Sequence, residues 1–370
     1  MIDQQKKILF ITAYPPNKLT AGQSNTTTVI NDVKAINYQV HLITFSYPGH
    51  EIEKPERFGY IKQINANRPY KYLYALFFFM FFPLYTVRFS FRTFLYLLQN
   101  QSKYTFIYLD YSQVFLYALF IRKKEKIFLM THDLVIQRFT RAYKKDWYKK
   151  LICGYVFFSE KFFFSRAKHI ILPSFKDKRV AEHIYHIKGM AILPKNRFKI
   201  SFADKQIPDL KKFVFLGTWN RQENLQGLNW FIKNVYPLLP TSIEFIIIGG
   251  SLPESFKNTL PPSFKATGFI DDFSPCLQNA SALISPLFQG AGIKFKVLDA
   301  LSNGCRVIGT HISFEGIRLN KQNIILQAQT AEEFAKAIRF CTEHTYDAAE
   351  IKTEFGQYIN NYVSFSEMIE

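Results

Sequence analysis

Cysteine is scarce and scattered: Cys153, Cys276, Cys305 and Cys341 are the only four in 370 residues. No two have the short spacing of a zinc site or a redox dithiol, and four are too few for a disulfide scaffold. A reducing compartment is the expectation. Glycine and proline are modest at 16 each, while 48% of residues are hydrophobic and 21% charged, which excludes a collagen-like, low-complexity or disordered chain. Long apolar runs are also missing. The longest uncharged stretch that is also predominantly apolar, Tyr72 to Val87, has 16 residues and is interrupted by Pro83, short of the roughly 20 that span a bilayer. No secretory signal is expected either, because MIDQQKK leads into only a short apolar run, ILFIT, before AYPP.

Acidic residues are in short supply in one half alone. Residues 1–195 hold 30 Lys and Arg against 12 Asp and Glu, whereas residues 196–370 hold 17 of each, so the whole net charge of +18 lies in the first half. This asymmetry points to an anionic partner of that half, either nucleic acid or an acidic membrane surface; the plainer alternative is a solvated basic surface. No recognised RNA or DNA motif accompanies the charge, so no nucleic-acid partner is expected. The run YLYALFFFMFFPLYTV is followed by Arg88 and Arg92, four apart and hence on one face of a helix. Such a segment suits a helix lying in a membrane interface, or equally a buried core helix. A second basic stripe, Arg138, Arg141, Lys145 and Lys149, runs at spacings of three, four and four with Phe-rich runs close by, and tips the balance toward membrane contact.

A chain this long exceeds the roughly 250–300 residues at which one hydrophobic core stops growing, so two domains are expected. Short apolar runs (KILFIT, YQVHLITF, TFIYLDY, KIFLMTH, HIILPS) alternate with amphipathic ones, and the alternation restarts at FVFLG after a linker at about 192–212. This predicts an α/β class with two doubly wound parallel sheets, one in residues 1–195 and one in residues 196–345, followed by a C-terminal helical segment, 346–370. In such sheets ligands bind beyond the carboxyl ends of the strands.

The window ALISPLFQGAGIKFKVLDALSNGCRVIGT carries the most chemistry. A strand is expected to end at Ser285, Gly290 and Gly292 to form a turn, and Lys294 and Lys296 to stand in the first turn of a helix. Glycines allow close backbone approach, a helix N-terminus offers free N–H groups, and two lysines add charge, which together make an anion site suited to phosphate. A tight strand-to-helix turn explains the glycines alone, but lysines there oppose the helix dipole unless an anion binds. Asp299, farther along the helix, is a candidate acceptor for sugar or ribose hydroxyls, or a solvated surface acid.

Residues 213 to 316 resemble the C-terminal, nucleotide-sugar-binding domain of GT-B glycosyltransferases, in particular glycosyltransferase family 4. The resemblance rests on FLGTWNRQENLQGLNWF, IIIGG, TGFIDDFSPCLQNASALISP, GAGIKFKVLDALSNGCRVIGT and FEGI, in that order. The first half agrees more loosely, through ILFIT with Gly22 after it, THD at 131–133, and FFSEKFFFSRAKHIILPSFKDK. The resemblance implies two Rossmann-like domains facing a central cleft, and a C-terminal helix that crosses back to the first domain. It implies a donor diphosphate held by Gly290, Gly292, Lys294 and Lys296, supplemented by Arg221 or Asn224, with Gly22 approaching the phosphates. Asp299 would take the ribose hydroxyls and the main chain of Gly268, Phe269 and Ile270 the base, with Glu315 of FEGI also on the donor side. His132 stands where the family often places a histidine near the transferred sugar, and Asp133 is the residue expected to orient it. The family's usual pair of glutamates is represented by Ala291 and Asp299, a departure shared with a subset that carries Gly-x-Gly and basic residues instead.

By resemblance, the activity is transfer of a sugar from a nucleotide diphosphate donor to a lipid-linked or glycan acceptor in polysaccharide, lipopolysaccharide or glycolipid assembly. Retention of anomeric configuration is implied, with no cofactor; the sequence carries no acidic cluster suited to a divalent metal, so no metal is expected, and the expected location is cytoplasmic, peripheral at the inner face of the cell membrane. A nucleotide-sugar epimerase, or a non-enzymatic binder or partner subunit on the same fold, stands as the alternative.

Overall fold

The computed structural model describes residues 5–50, 52, 55–69, 71–142, 147–202, 207–319 and 323–370. The chain divides into two compact units, Met1–Arg197 with Val363–Glu370, and Phe198–Tyr362. In the first, seven strands form one sheet: β1 (Lys7–Thr12), β2 (Gln39–Ser46), β3 (Tyr60–Asn65), β4 (Phe106–Asp110), β5 (Ile127–Met130), β6 (His169–Leu172) and β7 (Gly189–Ala191). Their order is β3-β2-β1-β4-β5-β6-β7, and every neighbouring pair is parallel. Ile8, Leu9, Phe10 and Ile11 are all fully buried. Both faces of β1 are covered, which is why its sequence is continuously apolar rather than alternating.

The second unit repeats the plan with six strands: β8 (Asp209–Leu216), β9 (Glu244–Ile248), β10 (Phe264–Gly268), β11 (Ala280–Ser285), β12 (Arg306–Gly309) and β13 (Ile325–Gln327). The order is β10-β9-β8-β11-β12-β13, again parallel throughout. Two doubly wound α/β sheets are therefore present, as the alternating pattern predicts. The last helix, Phe365–Ile369, belongs to the first unit, where Phe365 packs edge-on against Tyr108 and Phe128 at 4.9 and 5.1 Å.

The basic, aromatic segment differs from the expected interfacial helix. A helix covers Lys71–Phe77 only, a 3-10 turn covers Pro83–Tyr85, and the next helix, Phe91–Asn100, starts beyond Arg88. Proline lacks an N–H and clashes with the preceding turn, so a helix cannot run on through Pro83. Arg88 and Arg92 consequently share no helical face. Arg92 is exposed on its helix. Arg88 is 7% exposed and lies over the rings of Tyr47, Phe45 and Tyr14, at 4.9, 5.8 and 6.0 Å. The second stripe is also divided. Arg138 and Arg141 sit on helix Val135–Ala142 and Lys149 on helix Trp147–Ser165, while Lys145 lies outside the described residues. Among the described residues, no helix is long and apolar enough to cross a membrane.

Those two helices are joined by a buried carboxylate. Glu160, fully buried, accepts hydrogen bonds from the backbone N–H of Val135 at 2.9 Å and of Ile136 at 3.3 Å, and from the Tyr185 hydroxyl at 2.5 Å. These N–H groups open helix Val135–Ala142 and have no partner within it. Burial nevertheless pushes the Glu160 carboxyl up to about 7, against the pull of its three donors. A carboxyl with a raised folded pKa favours the protonated fold. Its contribution is therefore fully present below about pH 4.5 and is lost as pH rises from there through about 7. Urea denaturation of wild type and Glu160→Gln, compared across pH, should show the wild type losing about 2–3 kcal/mol relative to the variant between pH 5 and pH 8. A pH-independent difference would remove Glu160 from this role.

Candidate functional site

The strand order of the first sheet reverses between β1 and β4, and the crevice beyond the carboxyl ends of those strands is where such sheets bind ligands. Asp110, the last residue of β4, pairs in register with Thr12, the last of β1. It is 1% exposed, and both carboxylate oxygens are engaged. Oδ1 accepts from His132 Nε2 at 2.8 Å, and Oδ2 accepts from Thr26 Oγ1 at 2.5 Å. The next residue, Tyr111, has φ of +73° and lays its ring on the His132 imidazole, centroids 3.8 Å apart at 20°. A tyrosine in the left-handed region is strained, and such strain persists only where surroundings impose it.

This arrangement corrects one expectation. Asp133 does not orient His132; its carboxylate faces Arg138, 3.8 Å away, and Asp110 holds the imidazole instead. The reason is register, because the end of β4 lies beside the end of β5 and so faces His132, two residues beyond that strand. Gly22 has a local role as well. A Cβ there would stand 2.4 Å from the Tyr111 hydroxyl oxygen, so the glycine admits Tyr111 against helix Ala21–Ala35. Sequence reasoning missed Asp110 and Tyr111. The signal was available in TFIYLDY, an apolar strand that ends on an acid.

The second sheet reverses between β8 and β11. At its carboxyl edge the loop after β8 carries Arg221, exposed at the start of helix Gln222–Trp230, and the loop after β11 carries Gly290 and Gly292. Both glycines have positive φ, +114° and +72°, the region that excludes most side chains. Lys294 precedes helix Phe295–Ser302, and its ammonium donates back to the carbonyls of Gly292 at 2.6 Å and Ala291 at 3.2 Å, which closes the glycine turn. Lys296 is half-buried inside the helix's first turn and donates to Asn224 Oδ1 at 2.9 Å. Asn224 in turn donates from Nδ2 to the Thr218 carbonyl at 3.0 Å. Burial, then the charge of Lys294, lowers the Lys296 ammonium to about 7.

The close packing of these loops depends on glycine. A Cβ on Gly249, whose φ is +123°, would meet the Gly217 carbonyl oxygen at 1.8 Å, and one on Gly227 would meet that of Pro286 at 2.2 Å. Gly268, with φ of +76°, ends β10, and its carbonyl accepts from Gly249 N–H at 2.8 Å, so the Gly268, Phe269 and Ile270 segment reaches the same edge. Glu315 lies half-buried in the turn after β12. Asp299 is 8% exposed within helix Phe295–Ser302, which excludes the solvated surface acid.

The second unit contains residues 210–344, which match the family model described as Glycosyl transferases group 1. A protein named "Uncharacterized 44.6 kDa protein in cps region" of Klebsiella pneumoniae is 30% identical over 142 residues, covering 34% of this chain and 35% of that one. The match thus spans about a third of that relative's length. Sucrose-phosphate synthase of Thermosynechococcus elongatus has a similar structure at 13% identity, with a TM-score of 0.67 covering 97% of this chain and 95% of that one. A mutant of TarM from S. aureus, in complex with fondaparinux, alpha-GlcNAc-glycerol and UDP, is similar at 12% identity and a TM-score of 0.67, covering 98% of each chain. The fold is the GT-B fold, and residues 210–344 of its second unit match the model of group 1 glycosyl transferases.

Proposed function

We propose that this chain transfers a glycosyl group from a nucleotide diphosphate sugar to a hydroxyl of a membrane- or lipid-linked acceptor, in the assembly of surface polysaccharide, lipopolysaccharide or glycolipid. The observation that carries this reading is the Gly290 to Gly292 turn with Lys294 and Lys296, at the reversal point of the second sheet and inside the segment that matches the group 1 domain. As the bond from the anomeric carbon to the diphosphate breaks, negative charge collects on the leaving phosphate. Preorganised donors and cations aimed at that charge lower the barrier. Lys294, Lys296 and Arg221 supply it with Asn224, and we assign no metal to the step. Asp299 is assigned to the ribose, Glu315 to the donor side and the main chain of Gly268 to Ile270 to the base. On the first unit, His132, held by Asp110, is assigned to the transferred sugar, with retention at the anomeric carbon. The relative from a cps region supports surface polysaccharide as the setting, and the UDP bound to TarM makes UDP the first diphosphate to test.

Membrane docking is supported by exposed apolar side chains rather than by Arg88. Tyr72, Leu73, Leu76, Phe77, Phe79 and Met80 are each 59–76% exposed on helix Lys71–Phe77 and the turn after it. The Tyr155 hydroxyl donates to the carbonyl of Phe81 at 2.7 Å and to that of Phe79, which pins this turn to helix Trp147–Ser165. Leu151 and Phe158 of that helix are exposed too. A contiguous apolar surface of this kind marks an interaction site. Arg92, Arg138, Arg141 and Lys149 then supply attraction to anionic lipid.

Three experiments test these assignments. Isothermal titration with UDP should show proton uptake at pH 8, because a diphosphate raises the lowered pKa of Lys296, and affinity should fall up to roughly tenfold per pH unit above about 7. Lys296→Ala should weaken UDP binding roughly 10- to 100-fold, the worth of a charge-assisted hydrogen bond. Absence of both effects would remove Lys296 from the donor site, and transfer abolished by a chelator would overturn the metal-free step. Leu76→Ser with Phe77→Ser and Phe79→Ser should abolish sedimentation with anionic liposomes at any salt. Substituting Arg138, Arg141 and Lys149 by Ser should reduce it only at low salt. Undiminished sedimentation of the apolar variant would refute the docking surface.

A further inference from the structure

The first unit holds a cavity of about 340 Å³ along helix Ala21–Ala35, lined by Asn31 and Lys34 of the helix, Asn17 and Lys18 of the loop after β1, and Arg57 and Phe58 before β3. This is within the range of small-molecule sites, about 300–1,000 Å³. Three of its lining residues are cations and none is an acid. Lys18 and Arg57 are exposed, and among the described residues nothing pairs with either charged group. The Lys34 ammonium donates to the Arg57 carbonyl and lies 4.5 Å from the centre of the Phe58 ring, so it is fixed in the cavity wall. Burial, then the charge of Arg57, lowers its pKa.

Asn17 provides an independent sign of a ligand. It is 2% exposed, and its Oδ1 accepts from Leu19 N–H at 3.0 Å, but its Nδ2 is buried with no hydrogen-bond partner. Buried donors in native proteins are almost always satisfied, and an exception calls for a partner. The same loop carries Tyr14, whose ring meets Tyr111 at 4.9 Å, and Tyr111 stacks on His132. The loop after β1 thus links the cavity wall to the imidazole assigned to the transferred sugar.

We infer that this cavity binds an anionic sugar unit, its phosphate or carboxylate held by Lys18, Lys34 and Arg57 and one of its oxygens taken by Asn17 Nδ2. Resting on the proposed transfer reaction, that unit belongs to the acceptor. Neutral sugars lack the group that the three cations select, so the cavity distinguishes acceptors by charge.

Calorimetric titration of the full chain in saturating UDP tests this, with glucose 1-phosphate, glucuronate and neutral glucose as probes. At least one anionic sugar should bind saturably and at least tenfold more tightly than glucose. Binding of glucose 1-phosphate alone would assign a phosphate, and of glucuronate alone a carboxylate. Lys18→Ser with Arg57→Ser, both at exposed positions, should weaken that binding at least tenfold and leave UDP affinity unchanged. Asn17→Asp, which sets a carboxylate against the anion, should weaken it as well. Failure of both anionic sugars to bind, or equal binding by the double variant, overturns the site. If UDP still binds in that case, the transferase reading stands; if wild type fails to bind UDP while an anionic sugar binds, only the donor assignment falls.

Discussion

Asp110 ends β4 where the first sheet reverses, and a carboxylate with 1% of its surface exposed has to satisfy its oxygens inside the protein. It does so by gripping two other elements, helix Ala21–Ala35 through Thr26 and the loop after β5 through His132. Replacing either donor would leave charge buried without its partner, which costs far more than the bond itself contributes. The positive φ of Tyr111, its stacking on His132 and the need for glycine at position 22 follow from the same placement, since the chain leaving Asp110 has to turn back over the imidazole. Glu160 has the complementary role farther along the chain, where it fixes the start of the helix that follows His132 and Asp133. One buried acid thus holds the imidazole and a second fixes the helix that follows it, each reaching in from another strand or helix.

The second unit solves a different problem, that of keeping cations close together at a helix N-terminus. Lys294 spends its ammonium on the carbonyls of the glycine turn, and Lys296 rests on a neutral amide oxygen rather than on a carboxylate. A half-buried ammonium with a like charge beside it is in tension, which shows as the lowered pKa. Gly249 lies against the Gly217 carbonyl, and Gly227, inside helix Gln222–Trp230, lies against the Pro286 carbonyl, so the elements around these lysines pack backbone to backbone. Anion binding relieves the tension directly, because the charge that destabilises the free site is the charge that attracts a phosphate.

How far the sequence foretold this differs between the halves for physical reasons. The glycine–lysine motif of the second unit is local: Gly290, Gly292, Lys294 and Lys296 lie within seven consecutive residues, so their spacing alone predicts a glycine turn feeding a helix start, and that is what forms. Parallel strands were equally legible, because burial on both faces leaves continuous apolar runs. The His132 cluster was not, since its partner stands 22 residues away and is brought beside it only by the pairing of β4 with β5. Asp133, the neighbour in sequence, was the natural candidate and the wrong one. Arg88 failed for a related reason. Helical spacing put it on a face with Arg92, but the helix that starts at Lys71 ends at Phe77 and the next starts at Phe91, so Arg88 lies on neither.

The position of Arg88 also changes what the charge asymmetry means. A guanidinium set among Tyr14, Phe45 and Tyr47 is stabilised by ring faces, each contributing on the order of 0.5–2 kcal/mol, and adds little to the field outside. The excess of +18 therefore overstates the surface charge offered to lipid. Some of the remainder is gathered at the cavity beside helix Ala21–Ala35, where Lys18, Lys34 and Arg57 converge without an acid among the lining residues. Attraction between exposed charges and a membrane decays within about 8–10 Å at physiological salt, whereas apolar side chains that leave water retain their stabilisation. If the first unit docks on a bilayer as proposed, the exposed side chains between Tyr72 and Met80 contribute more to holding it there than the cations do, and the cations at the cavity are left to the proposed choice of ligand.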